Sequence, residues 1–123
     1  MPDHAKRVGV LCQRVIDLLG LSMTEGQSIL LGESNIAHMV SNHPADYALY
    51  GEYIPLILSA PDYVALNAKD GSIEYVKEVQ VNSVFVKVAV RVSARGQLFA
   101  RSVYRLNTNR VLNFIEKGTL KQY

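Results

Sequence analysis

Two histidines occur close together in the segment His-Met-Val-Ser-Asn-His-Pro, which runs from His38 to Pro44. A spacing of five residues places the two rings on different sides of a helix, so they cannot form an i, i+4 metal pair. No cysteine or carboxylate stands at a ligating spacing, and we expect neither a metal nor a cofactor. An imidazole at a helix end can transfer protons near neutral pH, whereas a structural capping histidine is the alternative.

Hydroxyl and cationic side chains gather on three predicted neighbouring strands. They are Tyr75, Lys77, Arg91, Ser102 and Tyr104. Cleaving RNA without a metal requires a base for the 2′-hydroxyl, an acid for the leaving oxygen and cations for the developing phosphorane charge. Together with a histidine, these residue types meet that requirement, and tyrosines among basic residues can stack bases. Each residue taken singly is better explained by packing in a strand than by catalysis.

Charge is divided unevenly along the chain. Residues 1–68 carry three basic and seven acidic side chains, a net charge of −4, whereas residues 69–123 carry ten basic and four acidic ones, a net charge of +6. This asymmetry predicts an anionic partner for the second half, most simply nucleic acid. A solvated sheet face with scattered charges is the alternative.

Several function classes lack their signatures. The chain has no glycine-rich phosphate loop and no Gly-x-Ser-x-Gly elbow, and its apolar runs are far shorter than the roughly 20 residues that a membrane span needs. No secretory signal is evident. The single cysteine, Cys12, makes no internal disulfide, so we expect a reducing cytoplasm.

The first half of the 123-residue chain has helical periodicity. The predicted elements are a helix over 4–19 ended by Gly20, a short edge strand over Ser28–Leu31, a helix from an N-cap at Ser34 to Asn42 ended by Pro44, and a helical stretch from Ala45 with a break near Gly51–Ile54. The second half changes to a period of two. Its predicted elements are the strands Tyr63–Leu66, Ile73–Val81, Val84–Val92 and Leu98–Leu106, then a helix from Thr108 or Asn109 to Lys117.

This order predicts an α+β fold in a single domain over residues 1–123. N-terminal helices pack on a C-terminal four-stranded antiparallel meander, and a final helix follows.

The alternation of valines in Val84–Val92 assigns Lys87 and Arg91 to the opposite face. A tight turn at Asn82-Ser83 predicts that Glu78 lies opposite Lys87 and Glu74 opposite Arg91. The sequence does not decide the register of the next hairpin. A three-residue loop puts Ser102 and Tyr104 on the valine face and Arg101 and Arg105 beside Lys87 and Arg91, whereas a four-residue loop does the reverse.

Motif order resembles a known family. A helix ending His-x-x-x-x-His-Pro is followed by Tyr53 to Tyr63, with Pro55 and Pro61-Asp62-Tyr63, then by Ile-Glu-Tyr-Val-Lys, Val-x-Val-Arg and Ser-x-Tyr strands. The arrangement, over roughly residues 30–118, is similar to the phage-encoded branch of the barnase/EndoU/colicin/RelE-like (BECR) nucleases. The resemblance implies a helix-backed antiparallel sheet and metal-independent RNA cleavage in a phage or prophage setting.

The resemblance also implies roles for particular residues. It makes His43 or His38 the proton-transfer histidine, Arg91 and Lys77 the phosphate-stabilising cations, and Ser102 and Tyr104 the hydroxyls at the scissile group. Two departures are Asn42, where a basic residue is expected, and Ser102, where threonine is more usual. Further RNA contacts are expected from Lys87, Arg101, Arg105, Arg110 and Tyr75.

Two hypotheses follow. The first is a metal-independent endoribonuclease acting in the cytoplasm as a phage- or prophage-encoded toxin or host-takeover factor. Its expected partners are RNA, with tRNA or another structured RNA as candidates, and an inhibitor or antitoxin protein. The second is a non-catalytic RNA- or protein-binding module on the same scaffold.

Overall fold

A computed structural model describes residues 5–79 and 83–123 as a mixed sheet with helices on both faces. In chain order the elements are β1 (Lys6–Val10), α1 (Gln13–Leu19), β2 (Ser28–Leu31), α2 (Glu33–Asn42), α3 (Pro44–Tyr50), a 3₁₀ turn (Gly51–Tyr53), α4 (Ile54–Ser59), β3 (Tyr63–Leu66), β4 (Ile73–Val79), β5 (Val84–Val92), β6 (Leu98–Leu106), α5 (Thr108–Glu116) and β7 (Lys121–Gln122). No helix among these residues is long and apolar enough to cross a membrane.

The sheet contains the predicted meander and extends beyond it. Seven strands follow the order β1-β2-β6-β5-β4-β3-β7, and the run from β3 to β6 is antiparallel as expected. The predicted sheet of four strands is nevertheless wrong in extent. β2 pairs with β6 in parallel, β1 pairs with β2, and β7 pairs with β3. β2 is therefore an interior strand, not the edge strand that was expected.

The predicted helix over 4–19 is wrong in its first half. Lys6–Val10 is a strand, the helix begins only at Gln13, and residue 4 lies outside the described residues. Pairing with β2 satisfies the backbone groups on one side of this edge strand, and Gly9 brings its backbone close to the side chain of Leu58 in α4. The C-terminal stop at Gly20 is confirmed, since Gly20 has φ +64° and its N–H bonds the carbonyl of Ile16.

The N-cap of helix α2 lies two residues before the predicted one. Gly32, not Ser34, is the N-cap, because the Asn35 side chain accepts a 2.8 Å bond from the Gly32 amide. The break before Pro44 is confirmed, and Pro44 opens α3 where its missing amide proton costs nothing. His43 thus stands at the junction of two helices.

Different helices pack on the two faces of the sheet. The valine face, with Val86, Val88 and Val90 all fully buried, packs against α1, α4 and Met39 of α2. We call the opposite face, which carries Lys87, Ala89 and Arg91 of β5, the basic face. Only part of it is covered, where Val111 and other apolar residues of α5 pack on Val76 of β4. Elsewhere on the basic face the side chains of β5 and β6 are half-buried or exposed.

Replacing Gly9 with alanine tests the strand assignment. A Cβ at Gly9 would lie 3.0 Å from both Cβ and Cδ1 of buried Leu58, so Gly9→Ala should lower the free energy of unfolding by about 1–3 kcal/mol. If residue 9 lay in a helix, Gly9→Ala would instead raise the free energy of unfolding by roughly 0.5–1 kcal/mol. Urea unfolding followed by circular dichroism measures the difference. The double variant with Leu58→Ala should lose less stability than the sum of the single variants.

Candidate active site on the basic face

A β-bulge in β6 determines which side chains the basic face carries. The pairs Val92–Leu98 and Val90–Ala100 belong to one regular antiparallel register. The next residue of β5, Ala89, pairs with Ser102 instead of Arg101, so Arg101 is an extra residue in β6. The register nearest the loop is the one expected of a three-residue loop, since Ser93 and Gln97 are hydrogen bonded around Ala94-Arg95-Gly96. Beyond Arg101 the other register holds, so Ser102 and Tyr104 join the basic face.

The register between β4 and β5 also differs from the prediction. Glu78 lies opposite Phe85 and Glu74 opposite Ala89, so the expected cross-strand pairs Glu78–Lys87 and Glu74–Arg91 are wrong. The strands are offset by two residues, which keeps every side chain on its predicted face. Ser83 has φ +51°, whereas Asn82 of the predicted turn lies outside the described residues.

Tyr104 is the centre of an aromatic and cationic cluster. The His43 ring stacks on the Tyr104 ring with centroids 4.7 Å apart and an interplanar angle of 21°. Lys87 Nζ lies 5.0 Å from the centroid of the same ring. Lys87 comes from β5, and His43 comes from the helices that contact β6, so the tyrosine stands between an imidazole and an ammonium group.

An ion pair holds Lys87 in place. Lys87 Nζ lies 3.1 Å from Glu74 Oε2, with both side chains about one-seventh exposed. Burial lowers the pKa of Lys87, but a hydrogen bond to Tyr104 and the negative charge of Glu74 outweigh burial, and the pKa is raised overall. Lys87 therefore remains cationic at physiological pH.

His38 lies in a separate cleft on the same face. The cleft, of about 370 Å³, is lined by Ser34, Asn35, His38, Arg91, Ser93, Phe99 and Arg101. Asn42 Nδ2 lies 3.0 Å from Nε2 of His38. In the described part of the chain, neither Arg91 nor Arg101 makes a salt bridge. Two guanidinium groups and an imidazole thus converge where a phosphate group fits.

A larger cleft lies between the basic face and α5. It has a volume of about 620 Å³, and Lys87 and Tyr104 form its border with the His43 cluster. Arg110 of α5 also lines it, with its guanidinium carbon 5.7 Å from the Phe114 ring centroid. The Asn107 side chain caps α5 by accepting bonds from the amides of Asn109 and Arg110, which fixes this end of the helix.

Comparison with known families identifies the chain. The profile of the family described as phage-Barnase-EndoU-ColicinE5/D-RelE like nuclease 3 matches residues 6–113, which is most of the 123 residues. This chain belongs to that nuclease family. The resemblance to the phage-encoded branch, inferred above from motif order, is confirmed. No curated protein and no solved structure matches the chain.

Three residues predicted for the nuclease site lie elsewhere. The Lys77 ammonium group donates a 2.8 Å bond to the Ala60 carbonyl and lies 3.8 Å from Asp62, so it is held away from the histidines. Arg105 pairs with Val86 and therefore projects to the valine side, not beside Lys87. Tyr75 is 1% exposed in the core, so the expectation that it stacks a base is corrected.

Two residues that border the candidate site were not singled out from the sequence. Asp46 of α3 accepts a 3.1 Å bond from the Arg105 amide, which ties the helix after His43 to β6. Phe114 of α5 walls the larger cleft. A possible signal for Phe114 was its spacing from Val111 on the predicted helix, whereas nothing local to Asp46 indicates β6. Among the described residues, no cluster of three or more metal-ligating side chains is present.

Lys87→Met tests the ion pair beneath Tyr104. Because the folded pKa of Lys87 is raised, its charge stabilises the fold fully below the unfolded pKa of about 10.4, and this stabilisation is lost as pH rises through the folded pKa. We expect the variant to lose about 1–2 kcal/mol of unfolding free energy at pH 7. Urea unfolding from pH 7 to 11 should show the difference shrinking only above about pH 10.

Lys117→Met is the matched control, since Lys117 is exposed and no ion pair involves it within the described residues. A stability loss for Lys87→Met no larger than that of Lys117→Met would contradict the importance of the pair.

Proposed function

We propose that this nuclease is a metal-independent endoribonuclease whose catalytic centre surrounds Tyr104. The observation that carries the proposal is the stacking of His43 on Tyr104 at 4.7 Å, with the Lys87 ammonium beside the same ring. A proton acceptor, a hydroxyl donor and a permanent cation thereby meet on one open sheet face. These are the three chemical functions that RNA cleavage by its own 2′-hydroxyl requires.

In the proposed reaction His43 accepts the proton of the 2′-hydroxyl. The O2′–P bond forms and the P–O5′ bond breaks, which gives a 2′,3′-cyclic phosphate and a 5′-hydroxyl. Tyr104 donates its proton to the leaving O5′, and the Lys87 ammonium group beside its ring stabilises the phenolate that results. Lys87 offsets the charge that develops on the phosphoryl oxygens, and Ser102, on the neighbouring pair of the same face, donates to one of them.

The His38 cleft serves the same substrate at a neighbouring position. Arg91 lies four residues from Lys87 along β5, a distance of roughly 13 Å in an extended strand, so the two cations do not bind one phosphoryl group. We assign Arg91, Arg101 and His38 to an adjacent phosphate of a single-stranded segment. Contacts of this kind supply affinity without sequence information.

The family supports a biological setting for the proposed activity. A phage-associated nuclease with a basic second half suits a toxin or host-takeover factor that acts on RNA in the cytoplasm, tRNA or another structured RNA among the candidates. An endoribonuclease of this kind requires restraint before it is deployed, and we propose an inhibitor or antitoxin protein as its partner.

His43→Gln tests the catalytic proposal. We expect the wild-type protein to cut single-stranded RNA in excess chelator and the variant to lose about 10²–10⁴-fold in kcat, because a positioned acid or base contributes that much. Products should carry 2′,3′-cyclic phosphate ends. A substrate with 2′-deoxyribose at the scissile position should bind and remain uncut.

Lys117→Ala is the control, since Lys117 is an exposed lysine of the basic half outside the basic face. Binding of RNA without cleavage by the wild-type protein would favour the non-catalytic binding module. Undiminished cleavage by His43→Gln would remove His43 from the mechanism.

His38→Gln separates the two histidines. If His38 binds an adjacent phosphate, the variant should raise KM several-fold and leave kcat within about threefold of wild type, because the lost contact is the same in ground and transition states. Arg101→Gln should behave alike. Steady-state kinetics on one oligoribonucleotide make the comparison, and a kcat loss as large as that of His43→Gln would instead assign His38 to proton transfer.

A further inference from the structure

We propose that the cleft under α5 is a nucleobase subsite, which accepts the base next to the scissile phosphate and favours bases that carry an amino group. The inference rests on the proposed endoribonuclease function, because Tyr104 and Lys87 belong to both the catalytic cluster and the border of this cleft. A nucleotide whose phosphate lies at Tyr104 has its base within reach of the cleft.

The walls of the cleft suit a flat, aromatic ligand. They include Val76 and Leu120, which are at most 5% exposed, together with Leu106 and Phe114. A volume of about 620 Å³ falls within the range of small-molecule sites, which are mostly apolar with a few convergent polar groups. The guanidinium of Arg110 lies over the Phe114 ring at the cleft border, where it can stack on a base or meet its phosphate.

The polar groups of the cleft favour a particular base edge. Glu74 Oε2 accepts bonds from both Lys87 Nζ, at 3.1 Å, and Asn67 Nδ2, at 3.2 Å. The hydrogen bonds of the described residues leave the other carboxylate oxygen, Oε1, without a donor. A carboxylate only accepts hydrogen bonds, so it attracts an N–H group from a ligand.

Bases differ in how well they present such a group. Adenine, cytosine and guanine each carry an exocyclic amino group, and a carboxylate accepts from the amino group of cytosine in the same way in base recognition. Uracil has one ring N–H between two carbonyl oxygens, which repel a carboxylate. Glu74 therefore acts as a specificity-determining residue against uracil, and it also positions Lys87.

Glu74→Gln is the decisive variant. The substrates are DNA oligonucleotides with a single ribonucleotide, so that the cleaved bond stays fixed while the bases on its two sides are varied in turn. At one of these positions we expect wild-type kcat/KM to be at least about 10-fold lower for uracil than for adenine or cytosine. Glutamine, which both donates and accepts, should bring that ratio to within about threefold of one.

A general loss of rate in Glu74→Gln is compatible with its positioning of Lys87, so the base ratio is the deciding readout. Glu78→Gln is the matched control, because Glu78 is an exposed glutamate of the same strand and face outside this cleft, and its base ratio should equal that of wild type. Phe114→Ala should raise KM for all bases.

Failure of the subsite and failure of the nuclease proposal give different results. Cleavage with equal kcat/KM for all bases, or an unchanged ratio in Glu74→Gln, overturns the nucleobase subsite and leaves the nuclease proposal intact. Oligomers in which the single ribonucleotide is replaced by deoxyuridine cannot be cleaved. Fluorescence anisotropy with these all-deoxy oligomers therefore measures binding alone. Base-dependent affinity that Glu74→Gln abolishes supports the subsite, even if no RNA is cut.

Discussion

The extra residue at Arg101 is the constraint on which the rest of the candidate active site depends. A strand without it would carry Ser102 and Tyr104 into the valine core, and His43 would have no ring to stack on. With it, Ala100 still fills the core on one side of the bulge while Tyr104 reaches the basic face on the other. The bulge thus allows β6 to pack in the core near the loop and to carry Ser102 and Tyr104 on the basic face further along the strand.

The basic face carries less unpaired positive charge than the net charge of +6 over residues 69–123 suggests. On this face Lys87 pairs with Glu74. Lys77 lies opposite Val86 on the valine side of the sheet and pairs there with Asp62. Arg91 and Arg101 are not paired in this way within the described chain, although Asp70 lies near enough for Arg91 to affect it. The pKa of Asp70 is lowered mainly by hydrogen bonds from Ser72 and to a lesser extent by the charge of Arg91. The proposed affinity for RNA therefore rests on a few arginines.

The strands of the meander were predictable, whereas their registers were not. Val84–Val92 and Leu98–Leu106 have the predicted bounds because alternating valines and flanking turn residues specify them locally. The helix predicted over 4–19 failed because the apolar spacing of Val8, Leu11 and Val15 fits a helix as well as a strand followed by a helix. Pairing with Ser28–Leu31, a long-range contact, decides between them. The bulge likewise depends on packing across the sheet, so it leaves no local signal.

The bond between Asp46 and the Arg105 amide has a consequence for solubility. β2 pairs with β6 only at residues 98 and 99, so the remainder of that strand would present unpaired amides and carbonyls to other chains. The segment of α2 and α3 lies along this edge, and Asp46 occupies one of its donors. An exposed strand edge invites association with a second β-strand. The junction of α2 and α3, which positions His43, thus also protects this strand edge from aggregation. Evolutionary change in either role is restricted by the other.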